Sequence, residues 1–95
     1  MSTPLYPDTM DAAVEYLRRT LPRRTLDEIR AMPKKELGQC HFGLGIWIRN
    51  NLGLWTTNTA LLAATGKKHP DDASMVIIKA LWKYLRVNRF KEADR

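Results

Sequence analysis

Apolar residues recur at helical spacing along most of the chain, and no stretch alternates apolar with polar at the two-residue period of a strand. Met10, Ala13, Val14, Leu17 and Leu21 line one face of a first helix, which Asp8 or Thr9 can cap and Pro22 stops. Thr25-Leu-Asp-Glu28 has the form of a capping box, so it predicts a short second helix ended by Pro33 with Leu26, Ile29 and Met32 facing inward. Leu37, Cys40, Leu44, Trp47 and Ile48 predict a third helix from about Lys34 to Asn50, although three internal glycines cost it about 1 kcal/mol each against alanine. Asn50-Asn51-Leu52-Gly53 reads as its stop and leaves Trp55 in a connector. Thr57 or Asn58 can cap a fourth, short helix through Leu61 and Leu62 that ends at Gly66. The last helix is the longest: Pro70 fits its first position, Asp71 and Asp72 suit the positive end of its dipole, and Ala73, Val76, Ile77, Ala80, Leu81, Tyr84 and Leu85 give it a broad apolar face.

These elements predict an all-α fold, a compact bundle of about five helices joined by short loops. A chain of 95 residues supports one modest core and not two, so residues 1–95 are expected to form a single domain with residues 1–7 and 91–95 frayed.

Composition narrows the setting. One cysteine excludes an intrachain disulfide scaffold, and the first eight residues lack the basic start and apolar run of a signal peptide. No stretch approaches the ~20 apolar residues that span a bilayer. A cytoplasmic protein without membrane partners is expected. The formal net charge of +6 is unevenly spread: residues 67–95 carry +4 of it, whereas residues 38–66 contain Arg49 as their single charged side chain, all five glycines and two of the three tryptophans.

Helical spacing puts Gly38, His41 or Phe42, Gly45 and Arg49 on one side of the third helix, where small residues allow another backbone, most simply that of the C-terminal helix, to approach closely. A lone guanidinium in an apolar segment calls for a carboxylate, and Asp71 or Asp72 can receive a bidentate pair from Arg49 that fixes the third helix to the start of the fifth. His41 and His69 beside those acids would suit a metal, but the spacing matches no closed ligand set and the acids have a sufficient dipole explanation, so neither metal nor cofactor is expected. Cys40 and His41 diverge by about 100° on a helix and make a poor dyad. Ser74 lacks a nucleophile-elbow pattern, and no phosphate loop or dinucleotide fingerprint is present, so no catalytic residue is assigned. Lys79, Trp82, Lys83 and Arg86 lie along one side of the last helix, with Arg89 beyond them, and basic side chains beside an aromatic suit a phosphate backbone. Sequence reading by a helix-turn-helix is disfavoured because Asp71 and Asp72 would occupy the tip that should meet bases.

His41-Phe-Gly-Leu-Gly-Ile-Trp-Ile-Arg-Asn-Asn-Leu-Gly-Leu-Trp55, followed by His69-Pro-Asp-Asp-Ala-Ser74, resembles a family of small bacterial domains of unknown function. The signature of that family is H-x-G-L-G-x-x-I-R-N-x-x-G-L-W and then H-P-D-D-x-S before an apolar helix. The resemblance covers residues 37–85 and departs from the family pattern at Leu52, often tryptophan, and Ala73, often methionine. It implies a mostly helical bacterial domain whose signature falls on His41, Gly43, Gly45, Arg49, Asn50, Gly53, Trp55, His69, Asp71, Asp72 and Ser74, and it supplies no activity.

The expected function is therefore that of a noncatalytic binding module with a protein partner, such as a bacterial regulator, an immunity-type inhibitor or a phage-related accessory protein. The candidate contacts are the polar rim of His41, Arg49, Asn51 and His69 and the basic side of the last helix. Nonspecific nucleic-acid binding through that helix is the first alternative, and a small-ligand or catalytic site around His41, Arg49 and His69 is the second.

Overall fold

The computed structural model describes residues 6–87, and every regular element within them is helical. Helix α1 spans Met10–Thr20 and begins at Thr9, whose hydroxyl accepts the Ala12 amide at 3.1 Å. Helix α2 spans Arg23–Ala31. A continuous helical run then passes through a 3₁₀ segment (Lys34–Cys40), a π segment (His41–Gly45) and helix α3 (Ile46–Asn51). Helix α4 spans Thr59–Ala64, and α5, the longest, spans Pro70–Val87. Residues 1–5 and the 91–95 stretch expected to fray lie outside the described residues, as do Arg89 and Phe90.

The architecture is organised around α5, which packs against α1, α2, α3 and both the 3₁₀ and π segments. Leu17, Ile48, Leu52, Leu61, Ile77, Ile78, Leu81 and Leu85 are fully buried and form the centre of the core. Surrounded on so many sides, α5 buries more than a stripe. Ser74 and Ile78 are buried with Ala73, Ile77, Leu81 and Leu85, while Val76, Ala80 and Tyr84 are only half-buried, so the inward face is rotated from the expected one.

Two further expectations are corrected. The capping box at Thr25 does not form: α2 starts two residues earlier behind Pro22, without a side-chain cap, and Thr25 is its third residue. Pro22 supplies extended backbone that leads directly into the helix, and Asp27 and Glu28 instead face Arg23 and Arg24 one turn back, at 3.5 and 3.9 Å. The third helix is not one α-helix. Its three glycines weaken a regular α-helix through their backbone freedom, and the backbone is tightened to 3₁₀ before His41 and widened to π from His41 to Gly45.

At the end of α3, Gly53 takes φ +70°, the left-handed conformation that stops a helix. A Cβ there would lie 2.7 Å from the Tyr6 ring. Asn58, buried beneath this turn, accepts the Leu61 amide at 3.2 Å as the cap of α4, and its amide nitrogen donates to the carbonyls of Leu52 and Pro7 at 2.7 and 2.8 Å. Tyr6 and Pro7 are thereby tied to the α3–α4 connection.

Candidate functional site

The π segment and the first turn of α5 meet around Arg49, which is 5% exposed. Its Nε stands 3.3 Å from Asp71 Oδ1, Nη1 donates to Ser74 Oγ at 3.1 Å, and Nη2 donates to the His41 carbonyl at 3.5 Å. The guanidinium is thus shared among three acceptors on two elements, not paired bidentately with one carboxylate. Asp71 is the acid that turns inward, and Asp72 is exposed. Because helical side chains lean toward the N-terminus, Arg49 reaches back two turns to His41. Ser74 Oγ donates in turn to the Asp71 carbonyl at 2.8 Å, closing the network.

Gly45 makes this arrangement fit. A Cβ at position 45 would lie 3.2 Å from both Arg49 Nη1 and the Cys40 carbonyl and 3.5 Å from Ser74 Oγ. The expected close approach to the C-terminal helix is therefore made at Gly45. At Gly38 and Gly43, by contrast, a Cβ would meet nothing within 4 Å.

The outer oxygen of Asp71 faces both histidines. His41 Nε2 lies 4.0 Å and His69 Nδ1 3.9 Å from Asp71 Oδ2. His69 caps α5 with its ring, Nδ1 accepting the Asp71 amide at 3.1 Å. Each imidazole also meets an aromatic edge-on: Phe42 against His41 at 4.8 Å between centroids, and Trp55 against His69 at 5.7 Å. The result is a contact chain Phe42–His41–Asp71–His69–Trp55. Phe42 is 80% and Trp55 53% exposed, and Ile46, one turn beyond Phe42, is also exposed. Asn50 of the signature and Asn51 of the expected polar rim are exposed, and the Asn51 amide donates to the Trp47 carbonyl at 2.8 Å.

This geometry bears on the chemistry considered from sequence. Ser74 is buried, and its hydroxyl is engaged by Arg49 and the Asp71 carbonyl, with no imidazole on it. Cys40 is buried beside Met32, its thiol 3.8 Å from the thioether sulfur, and burial pushes its pKa up. Among the described residues no group of three or more His, Cys, Asp or Glu is placed to hold a metal ion. A groove of about 610 Å³ lies between α1 and α5, lined by Met10, Val14, Glu15, Lys83 and Tyr84, and includes none of the signature residues.

The basic side of α5 divides in two. Trp82 Nε1 donates to the Met32 carbonyl at 2.8 Å, and Arg86 Nη1 donates to the carbonyls of Arg30 and Met32 at 3.1 and 3.0 Å while its guanidinium stacks on the Trp82 ring. These two side chains close the C-terminal end of α2. Lys79 and Lys83 make no such bond. Lys34, at the start of the 3₁₀ segment, is brought beside Lys79, and the two like charges, with Lys83 next, hold the Lys79 ammonium below the usual lysine range. The sequence offers Lys34 as one of the dibasic pair Lys34-Lys35 and as the opening residue of the third helix, but nothing in it places Lys34 beside Lys79.

A family model described as "Domain of unknown function (DUF6794)" matches residues 6–85. The chain belongs to that family. The DUF6794 match begins at Tyr6, the residue that packs on Gly53, and ends within α5, so it takes in the Arg49 network, both histidines and the aromatic pair. No curated protein and no solved structure matches the chain. Among the described residues no helix is long and apolar enough to cross a membrane.

Proposed function

We propose that this DUF6794 domain is a noncatalytic module that binds a protein partner through the face running from Phe42 to Trp55. The observation that carries this reading is the contact chain itself, in which two exposed aromatics flank a pair of histidines and the outer oxygen of the carboxylate between them. Large aromatics that pack on polar neighbours yet remain open to solvent are the material of interaction hot spots. The Arg49 network beneath holds the His41 backbone and Asp71 in place, so little ordering entropy is lost in that part of the face when a partner docks. Gly43, exposed beside Phe42 with open space at its Cβ, leaves backbone accessible on the same stretch. A cytoplasmic bacterial setting suits a chain whose one cysteine is buried and unpaired and whose motif resembles bacterial domains. Regulators, immunity-type inhibitors and phage-related accessory proteins act in this way.

The test is quantitative affinity capture from nuclease-treated lysate of the source cells, comparing the wild type with Phe42→Ser/Trp55→Ser. Both positions are exposed, so the variant keeps its melting temperature. Partners held by the wild type and released by the variant support the reading, and an unchanged set of captured proteins overturns it.

A further inference from the structure

Charge compensation differs sharply between the arginines and the lysines. Every arginine of α1 and α2 has a carboxylate 3.9 Å away or closer: Arg18 and Arg19 share Glu15, Arg23 and Arg30 share Asp27, and Arg24 meets Glu28. Arg49 has Asp71. The five arginines of these two helices thus share three carboxylates and are partly compensated within the chain. Among the described residues no lysine has a carboxylate at that distance, and three of them stand on two elements that pack together: Lys34, exposed, on the 3₁₀ segment, and Lys79 and Lys83, half-buried and exposed, one turn apart on α5. Arg86, with no carboxylate within 4.0 Å among the described residues, extends the same strip.

We propose that Lys34, Lys79, Lys83 and Arg86 form a binding site for the phosphate backbone of a nucleic acid, separate from the aromatic face. Positions 79, 83 and 86 fall on one side of α5 and cover about 10 Å of its axis, one to two helical turns. A ladder of cations at that interval meets successive charges of a polyanion, and compact ammonium groups serve as point-charge phosphate ligands. Lys34 arrives from a second element and sets its charge beside Lys79, so the site has width as well as length. Holding like charges together is unfavourable for the isolated protein, and a bound phosphate removes that repulsion. Trp82 is committed to the Met32 carbonyl and to Arg86, so the site reads charge and not bases. Lys79 is two turns of α5, about 12 Å, beyond Asp71, which allows the two faces to be tested apart.

The experiment uses fluorescence anisotropy with a labelled 20-nucleotide single strand and the corresponding duplex, titrated at several salt concentrations. Lys34→Gln/Lys79→Gln/Lys83→Gln is compared with Arg19→Gln/Arg23→Gln/Arg24→Gln, which lowers net charge by the same amount among the carboxylate-paired arginines. The cluster variant is expected to bind about tenfold or more weakly at low salt, with the slope of log affinity against log salt shallower by about 2. The arginine variant is expected to follow the wild type closely. Equal loss in both variants would reduce the effect to net charge and overturn the site. Absence of wild-type binding to either oligonucleotide overturns it too, as does equally tight binding of poly-glutamate at the same ionic strength, which would point to an acidic protein. Phe42→Ser/Trp55→Ser is expected to bind the oligonucleotide normally, so failure of one face leaves the other standing.

Discussion

Arg49 Nε stands 3.3 Å from Asp71 Oδ1, so the one charge of the glycine-rich middle segment is answered by the second residue of the last helix. The same guanidinium also holds Ser74 Oγ and the His41 carbonyl, and removing it would leave the inner oxygen of Asp71 without its cation and Ser74 Oγ with the Asp71 carbonyl alone. Arg49→Ala is expected to cost about 3 kcal/mol, at the low end for a broken buried pair because Asp71 keeps contact with water. Calorimetry should show the melting temperature fall by roughly 10–20 °C. Arg49→Lys restores charge but not a three-way fork, so it should recover only part of the loss. A melting temperature unchanged in Arg49→Ala would show that the network is not structural.

The glycines of the π segment should respond in opposite directions. Gly43 has helical backbone and open space, so Gly43→Ala is expected to stabilise by about 0.5–1 kcal/mol through the unfolded chain. At Gly45 a methyl group meets the Cys40 carbonyl, which is backbone and cannot move aside. Gly45→Ala should therefore cost roughly 1–3 kcal/mol despite the gain in helix propensity. Urea midpoints of the two variants, measured side by side, check the sign. If Gly43→Ala stabilises the domain yet weakens partner capture, the exposed backbone there belongs to the binding face.

Trp82 and Arg86 both donate to the carbonyl of Met32. Trp82→Phe alone should cost about 1 kcal/mol, because Arg86 still satisfies that oxygen. With Arg86→Gln added, the loss should exceed the sum of the single changes, since the carbonyl at the end of α2 is then left with neither donor. A double-mutant cycle in urea measures the coupling, and strict additivity would show that the two bonds do not share their role.

Burial raises the Cys40 pKa, so the native state holds the thiol proton more tightly than the unfolded chain does. The stability this lends is complete below the ordinary thiol range, near about pH 8.5, and is lost as the pH climbs through the raised folded value. The wild type should therefore lose stability relative to Cys40→Ala as the pH rises above about 8.5, a gap that urea midpoints at increasing pH can follow. Thiol reagents at neutral pH should label the folded protein far more slowly than the denatured one. Rapid labelling without denaturant would contradict the burial of Cys40.

What the sequence disclosed follows the range of the interactions involved. Thr9, Gly53, Asn58 and Gly66 end or begin helices through contacts within a few residues, and each is visible as a cap or a stop. The Arg49–Asp71 contact spans 22 positions but was still legible, because one charge in an uncharged segment has few partners. The capping box was misplaced because the extended backbone at Pro22 started α2 before Thr25 could act. The 3₁₀ and π geometry was invisible for a different reason: it depends on how Gly45 fits between Cys40, Arg49 and Ser74, and only the tertiary structure brings Ser74 there. Lys34 and Lys79 are 45 positions apart, and no periodicity joins them.

A π segment is an α-helix carrying one more residue than its turn needs, and it therefore works as a phase shifter. Each residue of an α-helix advances the facing direction by about 100°, so the widened turn at His41–Gly45 resets the direction of everything that follows. Through it, Leu37 and Cys40 before the segment and Ile48 and Arg49 after it all point inward. Excising one residue from this turn would leave composition and charge almost untouched, yet would rotate α3 against α5 and swing Arg49 away from Asp71. The segment thus sets the angle at which α3 meets α5, and a one-residue deletion within it would change that angle directly.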